Sequence, residues 1–181
     1  MKIKVLLFLS ILIACTSKPK NNNSKLKQLI TSHLGEKLNL PSNLEIYPCL
    51  DSSNAKVITD YKICTFIDVS CGSCLGQLEE WKTFMKIFPD NLVELIVICV
   101  ATDNYQLFEY LYDINTFKDY PCHFFFDREK LFIESNGFMK ERVDFQTVLI
   151  NKNDTIMVIG NPLINKSIKE LYVKVLIHSG K

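Results

Sequence analysis

The stretch ICTFIDVSCGSCLGQLEEWKTFMKIF, Ile63 to Phe88, decides how this chain folds. Its first part, Ile63 to Val69, is short and mostly apolar, which predicts a strand. Its second part, Cys74 to Phe88, repeats apolar residues at helical spacing. Leu75, Leu78, Trp81, Met85 and Phe88 approximate one face, Trp81 is expected in the core with them, and Pro89 ends the run. Between strand and helix lie Cys71-Gly72-Ser73-Cys74. A helix start offers unpaired N–H groups and the positive end of the dipole, so an anionic sulfur is stabilised there. Cys71 is therefore the candidate nucleophile, and Cys74, one turn deeper, the thiol that resolves a mixed disulfide.

Outward from this unit, short apolar runs alternate with helical patterns, as in βαβ units on a largely parallel sheet. Leu92 to Ala101 reads as a covered strand, Tyr105 to Phe117 as a helix capped near Asp103, and Cys122 to Phe126 as a third strand. Glu129 to Asn136 suggests a brief helix stopped by Gly137. Thr147 to Asn151 and Thr155 to Ile159 form a hairpin around the Asn151-Lys152-Asn153-Asp154 turn. After Asn161-Pro162, Ser167-Ile168-Lys169-Glu170 fits a capping box, and Ile168, Leu171, Tyr172, Val175 and Leu176 make the buried stripe of a last helix. Upstream, Lys25 to Leu34 carries a helical stripe ended by Gly35, and Leu38 to Asp60 reads as extended segments around an Asp51-Ser52-Ser53-Asn54 turn.

The beginning of the chain reads as an address. Lys2 and Lys4 precede an uncharged apolar run, Val5 to Ala14, too short to span a bilayer, and the run closes on Leu12-Ile13-Ala14-Cys15. This resembles the bacterial lipobox, which implies cleavage before Cys15 and lipidation of its thiol and amine. The expected organisation is a signal peptide over 1–15, a polar tether over 16–24, an N-terminal extension over 25–61 and one α/β domain over 62–181. Localisation follows as the cell envelope, lipid-anchored and facing the periplasm. With 48% hydrophobic residues and a net charge of +1, the chain can bury a sizeable core and has no bulk attraction for nucleic acid. Of the seven cysteines, Cys64, Cys99 and Cys122 lie in apolar runs and are expected to pack in the core, while Cys49 follows Pro48 in a loop.

A C-x-x-C pair also serves zinc and haem. Zinc requires about four ligands, and here no second close pair exists and His33, His123 and His178 are scattered. Haem attachment requires His directly after the second cysteine, which is Leu75. No cofactor or metal is expected. His123 beside Cys122 invites a copper reading, but strand alternation turns the two to opposite faces.

The strand, the Cys71-Gly72-Ser73-Cys74 turn, the helix, the Asp127 stretch and the Thr147-Val148-Leu149-Ile150-Asn151 strand together resemble thioredoxin-like lipoproteins of the TlpA kind, particularly those of Bacteroidetes. The resemblance covers about 62–177 and implies a thioredoxin-like fold, a central mixed sheet with helices on both faces. It also implies a pair cycling between dithiol and disulfide, commonly as a periplasmic reductant. The partners implied are client protein thiols or disulfides, the membrane through the anchor, and a membrane electron donor.

Three positions depart from that pattern. The family's cis-proline falls near Phe145, the aspartate six before the first cysteine is Thr65, and the acidic residue three after the second is Gln77. The proton acceptor for Cys74 is then sought at Asp68, three before Cys71, or at Glu79, early in the helix. Peroxiredoxin-like sites place threonine where Asp68 stands. The rival reading is a redox-inactive thioredoxin-fold lipoprotein whose surface binds a partner.

Overall fold

The computed structural model describes residues 22–47, 59–89, 91–117, 120 and 122–178. Cys15, Cys49 and the 51–54 turn lie outside the described residues. In chain order the elements are α1 (Asn22–His33), β1 (Glu45–Tyr47), β2 (Tyr61–Asp68), α2 (Gly72–Met85), β3 (Val93–Val100), α3 (Gln106–Asp113), β4 (Cys122–Phe126), α4 (Leu131–Ser135), β5 (Thr147–Asn151), β6 (Ile156–Ile159) and α5 (Lys166–His178). The strands form one sheet in the order β1-β4-β3-β2-β5-β6. The pairs β2–β3 and β3–β4 are parallel, whereas β1–β4, β2–β5 and β5–β6 are antiparallel. The sheet is thus mixed rather than largely parallel, because the chain returns through the β5–β6 hairpin instead of through another crossover.

Side-chain alternation sorts the core into two layers. Ile63, Ile67, Leu95, Val97, Cys99, Phe124 and Phe126 face one cluster with Leu75, Leu78, Trp81 and Phe84 of α2, Phe108 of α3 and Tyr172 and Leu176 of α5. Cys64, Ile96, Ile98, Val148 and Ile150 face the other, with Phe132 and Ile133 of α4 and Leu26, Leu29 and Ile30 of α1. Helices therefore cover both faces of the central strands, and Trp81, with 0% of its surface exposed, is in the core as its spacing requires. Cys64, Cys99 and Cys122 are buried, and burial pushes the Cys64 and Cys99 thiols far up.

Several boundaries differ from the sequence reading for local reasons. α1 begins at Asn22, so the last residues of the expected tether are helical. α2 begins at Gly72, two residues earlier than the apolar stripe, because Gly72 and Ser73 fill the solvent side of its first turn. α5 is capped by Asn165, whose Oδ1 accepts the Ser167 and Ile168 amides at 3.0 and 3.2 Å. Ser167 is thus inside the helix, and the capping box it suggested does not form. Asp103 caps α3 as expected, accepting the Tyr105 and Leu107 amides at 3.0 Å each. Between α4 and β5 the chain makes two unexpected 3-10 turns, Gly137–Lys140 and Val143–Phe145, which bury Phe138, Met139 and Phe145. Among the described residues no helix is long and apolar enough to cross a membrane.

Candidate active site

β2 ends at Asp68, and a tight turn carries the chain into α2, with the Cys71 amide donating to the Asp68 carbonyl at 3.4 Å. Cys71 is the N-cap of α2, extended at φ −102° and ψ 111°. Its carbonyl accepts the Cys74 and Leu75 amides, both at 3.0 Å, so the cap residue starts the helix through its backbone and its side chain makes no cap hydrogen bond. Gly72 and Ser73 are exposed and Cys71 and Cys74 partly so. Both cysteines are free thiols.

The two sulfurs are electrostatically unlike. The Cys71 thiol is lowered from 9.0 to about 7, chiefly by the hydrogen bond its thiolate accepts from the Cys74 thiol, then by the Ser73 hydroxyl and the Cys74 amide. Ser73 Oγ lies 3.1 Å from Cys71 Sγ. Cys74 is pushed up to about 11, first by burial, then by holding its proton for Cys71, and then by the charges of Cys71 and Asp68. The pair therefore loses its first proton near neutrality and its second only in strong base, which makes Cys71 the nucleophile and Cys74 the reserve thiol. The role of Ser73 is a finding of the structure, although a hydroxyl between two cysteines at a helix start is a readable sequence signal.

Asp68 accepts two hydrogen bonds at Oδ1, from the Ser70 amide at 3.0 Å and the Ser70 hydroxyl at 2.6 Å. Ser70 Oγ also lies 2.9 Å from Thr102 Oγ1 and accepts the Thr102 amide at 3.2 Å, which ties the β2–α2 turn to the β3–α3 loop. Glu79 is exposed, and the charge of Glu79 reaches Tyr120, while the carboxylate whose charge reaches Cys74 is that of Asp68. Thr65 is buried and its hydroxyl lies 2.8 Å from that of Thr147, so a neutral pair occupies the position beneath α2. Gln77 is partly buried on the helix.

Phe145, in the turn before β5, is buried in the layer opposite α2, and the next residue's carbonyl accepts the Phe66 amide at 2.8 Å. Because β5 starts opposite Thr65, this turn lies at the same end of the paired strands as the β2–α2 turn. An open cleft of about 460 Å3 is lined by Arg142, Val143 and Asp144 of this turn with Ile164 and Asn165. His33 is far from this chemistry in role, paired with Glu36 at 3.1 Å and stacked on Phe138.

No protein-family model matches the chain, and no curated protein matches its sequence. Solved structures do. The chain superposes on a reduced 2-Cys peroxiredoxin of Plasmodium vivax with a TM-score of 0.53, 13% identity, and 82% of this chain and 99% of that one covered. A Bacteroides vulgatus protein proposed to be a thiol–disulfide oxidoreductase matches with a TM-score of 0.52 and 12% identity, over 76% of this chain and 90% of that one. A thioredoxin-like protein of Bacteroides caccae gives a TM-score of 0.47 at 14% identity over 84% of this chain, which spans about half, 53%, of that protein's length. At such identities the likeness is one of architecture, and the architecture agrees with the strand order and two-sided helix cover described above. The chain has the thioredoxin-like α/β fold.

Proposed function

We propose that this chain is an envelope thiol–disulfide oxidoreductase, a lipoprotein of the TlpA kind tethered through Cys15, that reduces disulfides of client proteins. The observation that carries the reading is the split of the C-x-x-C pair, with Cys71 lowered to about 7 at a helix N-cap and Cys74 held at about 11. In this reading the Cys71 thiolate attacks a client disulfide, forming a Cys71–client mixed disulfide and releasing one client thiolate. Cys74 then displaces the second client sulfur, leaving a Cys71–Cys74 disulfide, and a membrane electron donor restores the dithiol.

A partner-binding module without redox turnover is the second reading, favoured by the neutral Thr65–Thr147 pair where an acid would otherwise assist Cys74. Cys74→Ser separates the two. An oxidoreductase accumulates client proteins disulfide-linked to Cys71, separable on a reducing gel. The absence of trapped species, together with noncovalent recovery of the same partner by a Cys71→Ser/Cys74→Ser chain, would sink the oxidoreductase.

A further inference from the structure

Past its last paired residue, β2 keeps one more rung with β3, the Val69 amide donating to the Val100 carbonyl at 2.8 Å. In a parallel ladder a residue that donates to one partner accepts from the residue two further along, so the next rung would run from the Thr102 amide to the Val69 carbonyl. It does not. The Thr102 amide donates to Ser70 Oγ at 3.2 Å instead. A side-chain oxygen thus stands where a backbone carbonyl is due, on the residue just before Cys71.

The Ser70 hydroxyl is free to accept because its own hydrogen is committed. Ser70 Oγ donates to Asp68 Oδ1 at 2.6 Å, so it also accepts from the Thr102 hydroxyl, 2.9 Å away. One donated and two accepted bonds use the whole capacity of a hydroxyl. Asp68 Oδ1 takes the Ser70 amide as well, at 3.0 Å, whereas the backbone bond across the turn, from the Cys71 amide to the Asp68 carbonyl, is long at 3.4 Å. Side chains therefore hold this turn more firmly than its backbone does. The far end of the link is equally firm, since Asp103, next to Thr102, caps α3 by accepting the Tyr105 and Leu107 amides at 3.0 Å each.

We infer that Ser70 is a positioning residue of the redox turn: by taking the Thr102 amide in place of the Val69 carbonyl, its hydroxyl parts β2 from β3 at that point and fixes Cys71 as the N-cap of α2. The inference rests on the redox reading above, because the group being placed is the attacking sulfur. Without the hydroxyl, the Thr102 amide falls to the Val69 carbonyl, the ladder advances by a rung, and Cys71 is drawn from the helix end toward the strand. A helix end supports an anion only within its first turn, so a displaced cap gives the Cys71 thiolate less of that support. Ser70 acts through the backbone it fixes and takes no part in the sulfur exchange.

The test is the pH profile of Cys71 alkylation by iodoacetamide in the full chain, read by fragment-resolved mass spectrometry so that each cysteine is scored separately. Ser70→Ala is expected to move the Cys71 inflection up from near 7 by about half a pH unit, and Ser70→Thr, which restores the hydroxyl, to return it to the parent value. Thr102→Ala removes one of the two bonds onto Ser70 Oγ and keeps the amide, so a smaller rise is expected. A serine with a merely structural role predicts a lower urea midpoint for Ser70→Ala with the inflection unmoved. That unmoved inflection, or a shift in Ser70→Thr as large as in Ser70→Ala, overturns the inference; should Ser70→Ala not fold, an unmoved inflection in Thr102→Ala does the same. The redox reading is judged apart, on the parent chain, and is overturned if Cys71 and Cys74 form no reversible disulfide across graded dithiol buffers.

Discussion

Replacing Ser73 by alanine removes a single hydrogen bond from the Cys71 sulfur, 3.1 Å long, and leaves the backbone of the helix start untouched. The Cys71 thiol falls from 9.0 to about 7 through the Cys74 thiol first, the Ser73 hydroxyl second and backbone amides after them. If Ser73 supplies about a quarter to a half of that drop, Ser73→Ala titrates between about 7.5 and 8, and its thiolate fraction at pH 7 falls roughly two- to fivefold. The rate changes less than the fraction, because a more basic thiolate is intrinsically more nucleophilic, with a Brønsted slope of about 0.4. Combining the two, the first-step rate with a small aromatic disulfide is expected to be roughly one and a half- to threefold slower than the parent at pH 6.5. At pH 9.5, where both are ionised, it is about one and a half- to two and a half-fold faster. The two pH–rate profiles therefore cross, and stopped-flow measurement of the first thiol release reads the crossing directly. Profiles with the same inflection would refute the reasoning and leave the lowering of Cys71 to Cys74 and the helix start alone.

The reduction potential of the pair should fall by about 59 mV per pH unit below the Cys71 inflection near 7, because two protons accompany two electrons there. Between about 7 and 11 the slope should halve to about 30 mV, since only Cys74 then takes a proton; thiol alkylation across dithiol buffers at graded pH measures both limbs. Phe108 is fully buried with ring contacts to Tyr47, Phe117, Phe124 and Phe126, so Phe108→Ala should cost about 3–5 kcal/mol in urea unfolding while sparing the pKa of Cys71. Asp127→Ala removes the carboxylate that accepts the Phe132 amide at 3.1 Å and the Ile133 amide at 3.4 Å at the start of α4, and should cost about 1 kcal/mol in the same assay.

The strands were legible because their signal is local. Cys122–Phe126 and Thr147–Asn151 stand where apolar runs bounded by turn residues place them, and Asp103 caps α3 as its position suggests. The cysteine pair was legible for the same reason, four consecutive residues between a strand and a helix. What escaped is whatever depends on strand register. Ser70 and Thr102 meet because β2 and β3 pair Asp68 with Val100, and Thr65 meets Thr147 because β2 and β5 pair them, contacts separated by 32 and 82 residues. Nothing in the local pattern of a serine or threonine announces such a partner. The capping box at Ser167 failed for a different reason: Asn165 competes for the same amides and sits where the chain turns into the helix.

The helix start also bears on how this chain can change over time. Cys71 and Cys74 are already joined through the backbone bond that opens α2, so a disulfide between them closes a ring of only four residues. Loop-closure entropy for so small a ring is about 2 kcal/mol, well below that of a bridge spanning the domain. Oxidation and reduction therefore tug only weakly on global folding. Substitutions in the core layer opposite α2 can raise or lower thermal endurance at a distance from the pair, whereas an exchange at Ser73 acts on the Cys71 sulfur from the solvent side. The α2-side layer serves both ends, since Cys74 packs against it.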